Sequence, residues 1–155
     1  MRKALMAGLV ASFLVIIISG CYTPTPDVSV WTENLGQAVS PTDSMITLNY
    51  IYITCLNHVD ITVRQLTFDF YKTYQDGSEE LIPEARWLYN HEIHFPGVDT
   101  HYIANQPVEI DGVAQILYSD SQILNIRMEI TVSGEDAYGD GKRFSATCSY
   151  ILVRE

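Results

Sequence analysis

The sequence predicts an all-β domain of two antiparallel sheets packed face to face, entered through a short apolar address segment. Three observations predict it. Long runs alternate apolar and polar residues with a period of two, the signature of half-buried strands. Gly- and Asp-rich turn signals separate those runs, and no segment carries a long amphipathic helix. Ten tyrosines, five phenylalanines and two tryptophans in 155 residues favour strands. With 47% hydrophobic residues the chain can bury a core and is not of the disordered class.

Met45 to Asn57 is rich in Ile, Thr and Tyr and reads as a strand, closed by an Asn57-His58-Val59-Asp60 turn. Ile61 to Tyr74 is the next strand, and Asp76-Gly77 is a hairpin signal. Within that strand Ile61 and Val63 share one parity while Leu66, Phe68 and Phe70 share the other. A β-bulge near Arg64 or Gln65 would bring all five to one face. Leu81–Tyr89 and Thr100–Ile110 read as weaker strands, and Val113, Ile116 and Leu117 sit at the spacing of a short helix. In the clearest strand, Leu124, Ile126, Met128, Ile130 and Val132 alternate with Asn125, Arg127, Glu129 and Thr131. A turn over Gly134–Gly141 leads to Phe144, Ala146, Cys148, Tyr150 and Leu152, again alternating, and the two runs are expected to pair as a hairpin. About seven strands of this kind predict an immunoglobulin-like antiparallel β-sandwich.

Ahead of the domain, Arg2 and Lys3 precede an apolar run from Ala4 to Ile18, then Ser19, Gly20 and Cys21. This is the basic, apolar, small-residue layout of a secretory signal. The run is at the short end of what a membrane span needs, and a cysteine after two small residues has no place in that alternative. Ile18-Ser19-Gly20-Cys21 resembles the lipobox of prokaryotic lipoproteins. The resemblance implies a signal peptide over residues 1–20, lipidation of Cys21, cleavage before it, and an extracytoplasmic domain anchored to a membrane. Tyr22, in place of Asp, implies the outer membrane where there are two. Residues 21–43, with Pro24, Pro26 and Pro41, read as a tether reaching roughly 25 Å, and residues 44–155 as the sandwich. Val28-Ser29-Val30-Trp31 is a possible first strand, which would start the domain nearer Asp27.

The run from Cys55-Leu56-Asn57 through Ile61 and Val63 to Phe68-Asp69-Phe70-Tyr71, then Asp76-Gly77, resembles the small immunoglobulin-like modules of secreted prokaryotic proteins, including the FxLYD type. It departs from them at Phe70 and Lys72. The resemblance implies a fold without shared catalytic residues.

The formal charge is −10, and about −12 once Arg2 and Lys3 leave with a segment that holds no acid. That balance argues against nucleic acid, which requires a basic footprint. With Cys21 lipidated, Cys55 and Cys148 remain, both on apolar parity. An oxidising compartment favours a disulfide between them, and two buried free thiols are the alternative. His91, Glu92, His94, Asp99 and His101 cluster in sequence, but His91 and His94 at a spacing of three point to opposite faces of a strand. Glu135, Asp136 and Asp140 before Gly141 form a fragment of a calcium loop that lacks its third and twelfth ligands, Tyr138 and Thr147 standing there. No nucleophile elbow or phosphate loop is present, so no catalytic residue and no cofactor are expected. Tyr50, Tyr52, Tyr71, Tyr74, Trp87 and Tyr89 are candidates for a binding surface, half of them facing the core. The expected function is a non-catalytic binding or structural lipoprotein whose partner is another envelope protein or a glycan. The alternative is a metal- or small-ligand-binding lipoprotein using His91, His94 and His101 or the Asp136 turn.

Overall fold

A computed structural model describes residues 24–138 and 141–155. The expected signal segment, Cys21 and Asp140 lie outside the described residues. Among the described residues the strands are β1 (Val28–Thr32), β2 (Gly36–Val39), β3 (Met45–Cys55), β4 (Ile61–Tyr74), β5 (Glu79–Leu81), β6 (Trp87–Phe95), β7 (Thr100–Glu109), β8 (Ile123–Asp136) and β9 (Arg143–Arg154), and a short α-helix, α1, spans Val113–Ser119. They form two sheets. One has the order β1-β3-β7, and the other β2-β9-β8-β4-β5 with β6 also on β4. The protein is an all-β sandwich. The three-stranded sheet β1-β3-β7 packs against the six-stranded one. All pairings are antiparallel except β2 with β9.

The described residues hold nine strands where about seven were expected, and the excess has local causes. In the stretch read as a tether, β1 is the first strand offered at Val28–Trp31 and β2 is additional. Val30 and Val39 are buried, so β1 and β2 belong to the sheets and the sandwich starts near Asp27. Asn57 secures that entry. Its Oδ1 accepts the Asp27 N–H at 3.1 Å and its Nδ2 donates to the Thr25 carbonyl at 2.8 Å. Another strand comes from the Leu81–Tyr89 stretch, which is not continuous. Pro83 has no N–H for a ladder, and Pro83–Ala85 forms a 3-10 turn that separates β5 from β6. The helix forms where the Val113, Ile116, Leu117 spacing placed it, and it buries Val113, Ala114 and Leu117.

The expected bulge in β4 is present. The ladders of β4 with β6 and with β8 both shift register between Val63 and Gln65, and Ile61, Val63, Leu66, Phe68 and Phe70 are all buried. A second shift, between Thr73 and Tyr74, corrects one core assignment. Tyr74 pairs Ile123 and Thr73 pairs Asn125, so Leu124 is skipped. Leu124 is 57% exposed and Ile123 takes the inner position at 2%. From Ile126 to Val132 the expected face is buried, and β8 and β9 pair as the predicted hairpin.

The first sheet has its own irregularity. Leu48 pairs Gln106 and Tyr50 pairs Ala104, while Asn49 and Asn105 between them do not pair. Asn105 has φ of 52°, a left-handed conformation that Asn tolerates better than most residues. Leu48 and Ile51 are both buried although their spacing is odd, so the strand changes face here and Tyr50 turns outward beside Tyr52.

At the β4–β5 hairpin Gly77 takes φ of 83°, and Asp76 Oδ1 accepts the Ser78 N–H at 2.9 Å and its hydroxyl at 2.6 Å. Glu79 grips the Arg127 guanidinium through two bonds of 2.8 Å, and that guanidinium lies 4.3 Å from the Tyr71 ring centroid. Arg127 holds Glu79 below the usual carboxylate range, Tyr74 and Lys72 do so for Glu80, and Ser78 for Asp76. Carboxylates with lowered folded-state values contribute stability that is present above their unfolded values and is lost as pH falls through the folded ones. Amide exchange at Glu79–Leu81, corrected for intrinsic rate, is therefore expected to accelerate as pH drops below about 4, and to be fast already at neutral pH in Arg127→Met. A β5 exchange rate indifferent to pH and to this substitution contradicts the expectation.

Candidate functional site

The structure does not bring the histidines together as a ligand set. Along β6 half-buried and exposed residues alternate, with His91 on the half-buried face and His94 on the exposed one. His91 stacks on Tyr89 with ring centroids 6.1 Å apart, and His101 stacks on Phe95 at 4.9 Å, its Nε2 2.8 Å from the Pro96 carbonyl. Among the described residues no group of three or more His, Cys, Asp or Glu side chains is placed to hold a metal ion. Asp136 is buried at the end of β8. Its N–H donates to the Lys142 carbonyl at 3.0 Å and its Oδ2 accepts the Lys142 N–H at 3.4 Å, while Oδ1 has no partner. Glu135 is engaged by Arg64 at 2.8 Å.

The disulfide expectation is corrected. Cys55 and Cys148 are both free thiols. Parity fixes the face a side chain takes, not its height along the strand or its sheet. Cys55 ends β3 in the first sheet, opposite Val28, and its thiol donates to Asn57 Oδ1 at 3.1 Å. Cys148 sits within β9 of the second sheet, opposite Ile130. Burial pushes the Cys148 thiol up to about 11, so at neutral pH it holds almost no thiolate. An alkylating reagent is expected to modify Cys148 slowly in the folded protein. In denaturant without reductant, mass spectrometry should find adducts on both Cys55 and Cys148. A domain that stays two adducts short under those conditions carries a bond between them.

The outer face of the first sheet carries the most organised exposed feature. Trp31, Tyr52 and Tyr102 are direct cross-strand partners on β1, β3 and β7. Trp31 and Tyr52 stack with centroids 5.6 Å apart and planes at 17°, and Tyr52 meets Tyr102 edge to face at 6.3 Å. Tyr50, turned outward by the irregularity at Asn49, meets Tyr102 edge to face at 5.2 Å. Trp31 is 40% exposed and Tyr102 56%. Two residues further along, the Thr54 and Thr100 hydroxyls share a 2.7 Å hydrogen bond. The row is thus a contiguous, uncharged, hydroxyl-tipped aromatic surface across all three strands. Contiguous exposed aromatics on a soluble domain mark interaction sites, because ring surface left in water is otherwise unfavourable.

Of the six aromatics the sequence offered, only Tyr50 and Tyr52 belong to this row. Tyr71 lies under Arg127, Tyr74 donates to Glu80 at 2.6 Å, and Trp87 and Tyr89 stand half-buried on β6. Trp31 and Tyr102 were missed. Their outward parity beside Val30 and Ile103 was a readable signal, but the strand order that joins them was not. Neither protein-family models nor curated proteins yield a match to this chain. The site must therefore be read from its own chemistry.

Proposed function

We propose that the chain is an extracytoplasmic lipoprotein, anchored through Cys21, whose sandwich domain binds a neutral glycan on the Trp31–Tyr52–Tyr102 face. The domain acts by holding its ligand and carries out no reaction on it. The address is supported by the layout from Arg2 to Cys21. The binding reading is carried by one observation, the exposed aromatic row without a charged side chain in it. Pyranose rings present apolar C–H faces and hydroxyl edges. Aromatic faces cover the first, and tyrosine and threonine hydroxyls bond the second. A protein of net charge −10 repels polyanions, which favours an uncharged polymer.

The address is tested by mass spectrometry of protein isolated from its own membrane. An N-terminal Cys21 bearing acyl chains is expected, and a chain with unmodified Cys21 refutes it. Binding is tested by retention on insoluble neutral polysaccharides and on a glycan array. The Trp31→Ala, Tyr102→Ala double variant is expected to lose retention by about tenfold or more while melting like the parent. Retention that survives the double variant, or a parent that binds no glycan and instead dimerises through this face in sedimentation, rejects the glycan reading.

A further inference from the structure

A second surface, sharing no residue with the aromatic row, lies where β6 approaches the end of the first sheet. Trp87 and Tyr89 stand on the half-buried face of β6 with ring centroids 6.1 Å apart and planes at 74°, forming an aromatic corner. That corner lines a cleft of about 260 Å³ together with Met45 and Glu109. Trp87 and Glu109 also border an adjoining cleft of about 100 Å³ that includes Glu84 and Asp111. None of these three carboxylates takes part in a salt bridge among the described residues. Arg86 also lines this second cleft, its Nε on Asp69 at 3.1 Å, so three carboxylates face one guanidinium there.

We infer that this cleft binds a small organic ammonium compound of the choline type. Two aromatic faces set at an angle attract a weakly hydrated cation through their quadrupoles, and Trp is the strongest of the aromatic partners. The carboxylates, which outnumber Arg86, add attraction of the same sign, and the chain's net charge of −10 concentrates cations near its surface. The volume is below the several hundred Å³ typical of drug-sized ligands, which restricts the occupant to a few heavy atoms. An inorganic cation finds no cage of converging oxygens here, and aromatic carbon cannot replace its water. An alkylated ammonium has little hydration to lose.

The experiment uses Trp31→Phe as the parent, which leaves Trp87 as the single tryptophan. Its fluorescence is followed during titration with choline chloride, with its uncharged carbon isostere dimethylbutanol, and with sodium chloride at equal ionic strength. A saturable change with choline is expected, at least about fivefold tighter than with the isostere. Glu109 is exposed, so Glu109→Gln is expected to fold and melt like the parent while weakening choline about fivefold. Absence of a saturable choline response overturns the inference. So does an isostere that binds as well as choline, or a Glu109→Gln protein that binds choline as tightly as its parent.

Discussion

Replacing Phe68 by Ala is expected to lower stability by about 3–5 kcal/mol. Phe68 has no solvent exposure, pairs Ile130 on β8 and Trp87 on β6, and meets the Tyr89 ring edge to face at 6.5 Å. It therefore fills part of the larger sheet's inner face, and its removal leaves a cavity there. Domains of this size are stable by only about 5–15 kcal/mol, so the loss should appear as a melting point roughly 10–20 °C lower, or as failure to fold at growth temperature. Leu124→Ala is the paired control. Alternation assigns it a core position, whereas the second register shift in the β4–β8 ladder turns it to solvent, and its removal should change stability by no more than about 0.5 kcal/mol. Thermal melts of the two variants decide between the readings. Comparable losses from both would mean that Leu124 is inside and the shift at Thr73 and Tyr74 is misplaced.

Gly134→Ala is expected to have the second largest effect. Gly134 pairs Val63 on one side and Phe144 on the other, beside the bulge in β4. A Cβ added there would run into the Thr62 carbonyl oxygen and lie 2.9 Å from a ring carbon of Phe144. The carbonyl belongs to the backbone of the central strand and cannot rotate aside as a side chain would. Accommodating the methyl group requires β4 to move, and overpacking of this kind costs about 1–3 kcal/mol. The expected result is a melting point several degrees lower and faster amide exchange over Thr62–Gln65. Ser133→Ala, one residue away on the opposite face, should leave both unchanged. A Gly134→Ala protein that melts like wild type would show that β8 does not approach the bulge as described.

These two sites also mark how far the sequence could be read. The parity break between Val63 and Leu66 demanded one extra residue, and the bulge follows from that count alone. Gly134 gave no such signal, because its role depends on which strand lies opposite. The same division holds elsewhere. Val28-Ser29-Val30-Trp31 announced a strand by alternation, but its neighbour β3 could not be named. Leu124 kept perfect alternation and was still outside, since a shift in the partner strand leaves no trace in its own pattern. Cys55 and Cys148 satisfied parity and lacked only a shared position along the strands, which is a tertiary quantity. The aromatic row failed to emerge for the related reason that Trp31, Tyr52 and Tyr102 come from three distant segments. Alternation is a property of one strand and a binding face is a property of several.

The placement of β1 and β2 has a mechanical consequence. These two strands lie in different sheets, β1 against β3 and β2 against β9. The hydrogen bonds of each ladder run across its strands. A pull on the amino-terminal side of Thr25, directed along β1, loads the five pairs from Val28↔Cys55 to Thr32↔Ile51 in shear, all at once and not one after another. The Asn57 side chain adds two further bonds at the point where the force enters. Whatever tension passes beyond β1 reaches β2 and through it β9, its partner in the larger sheet. Traction at one end is thereby distributed to both layers, and the domain resists being peeled open from its amino-terminal side.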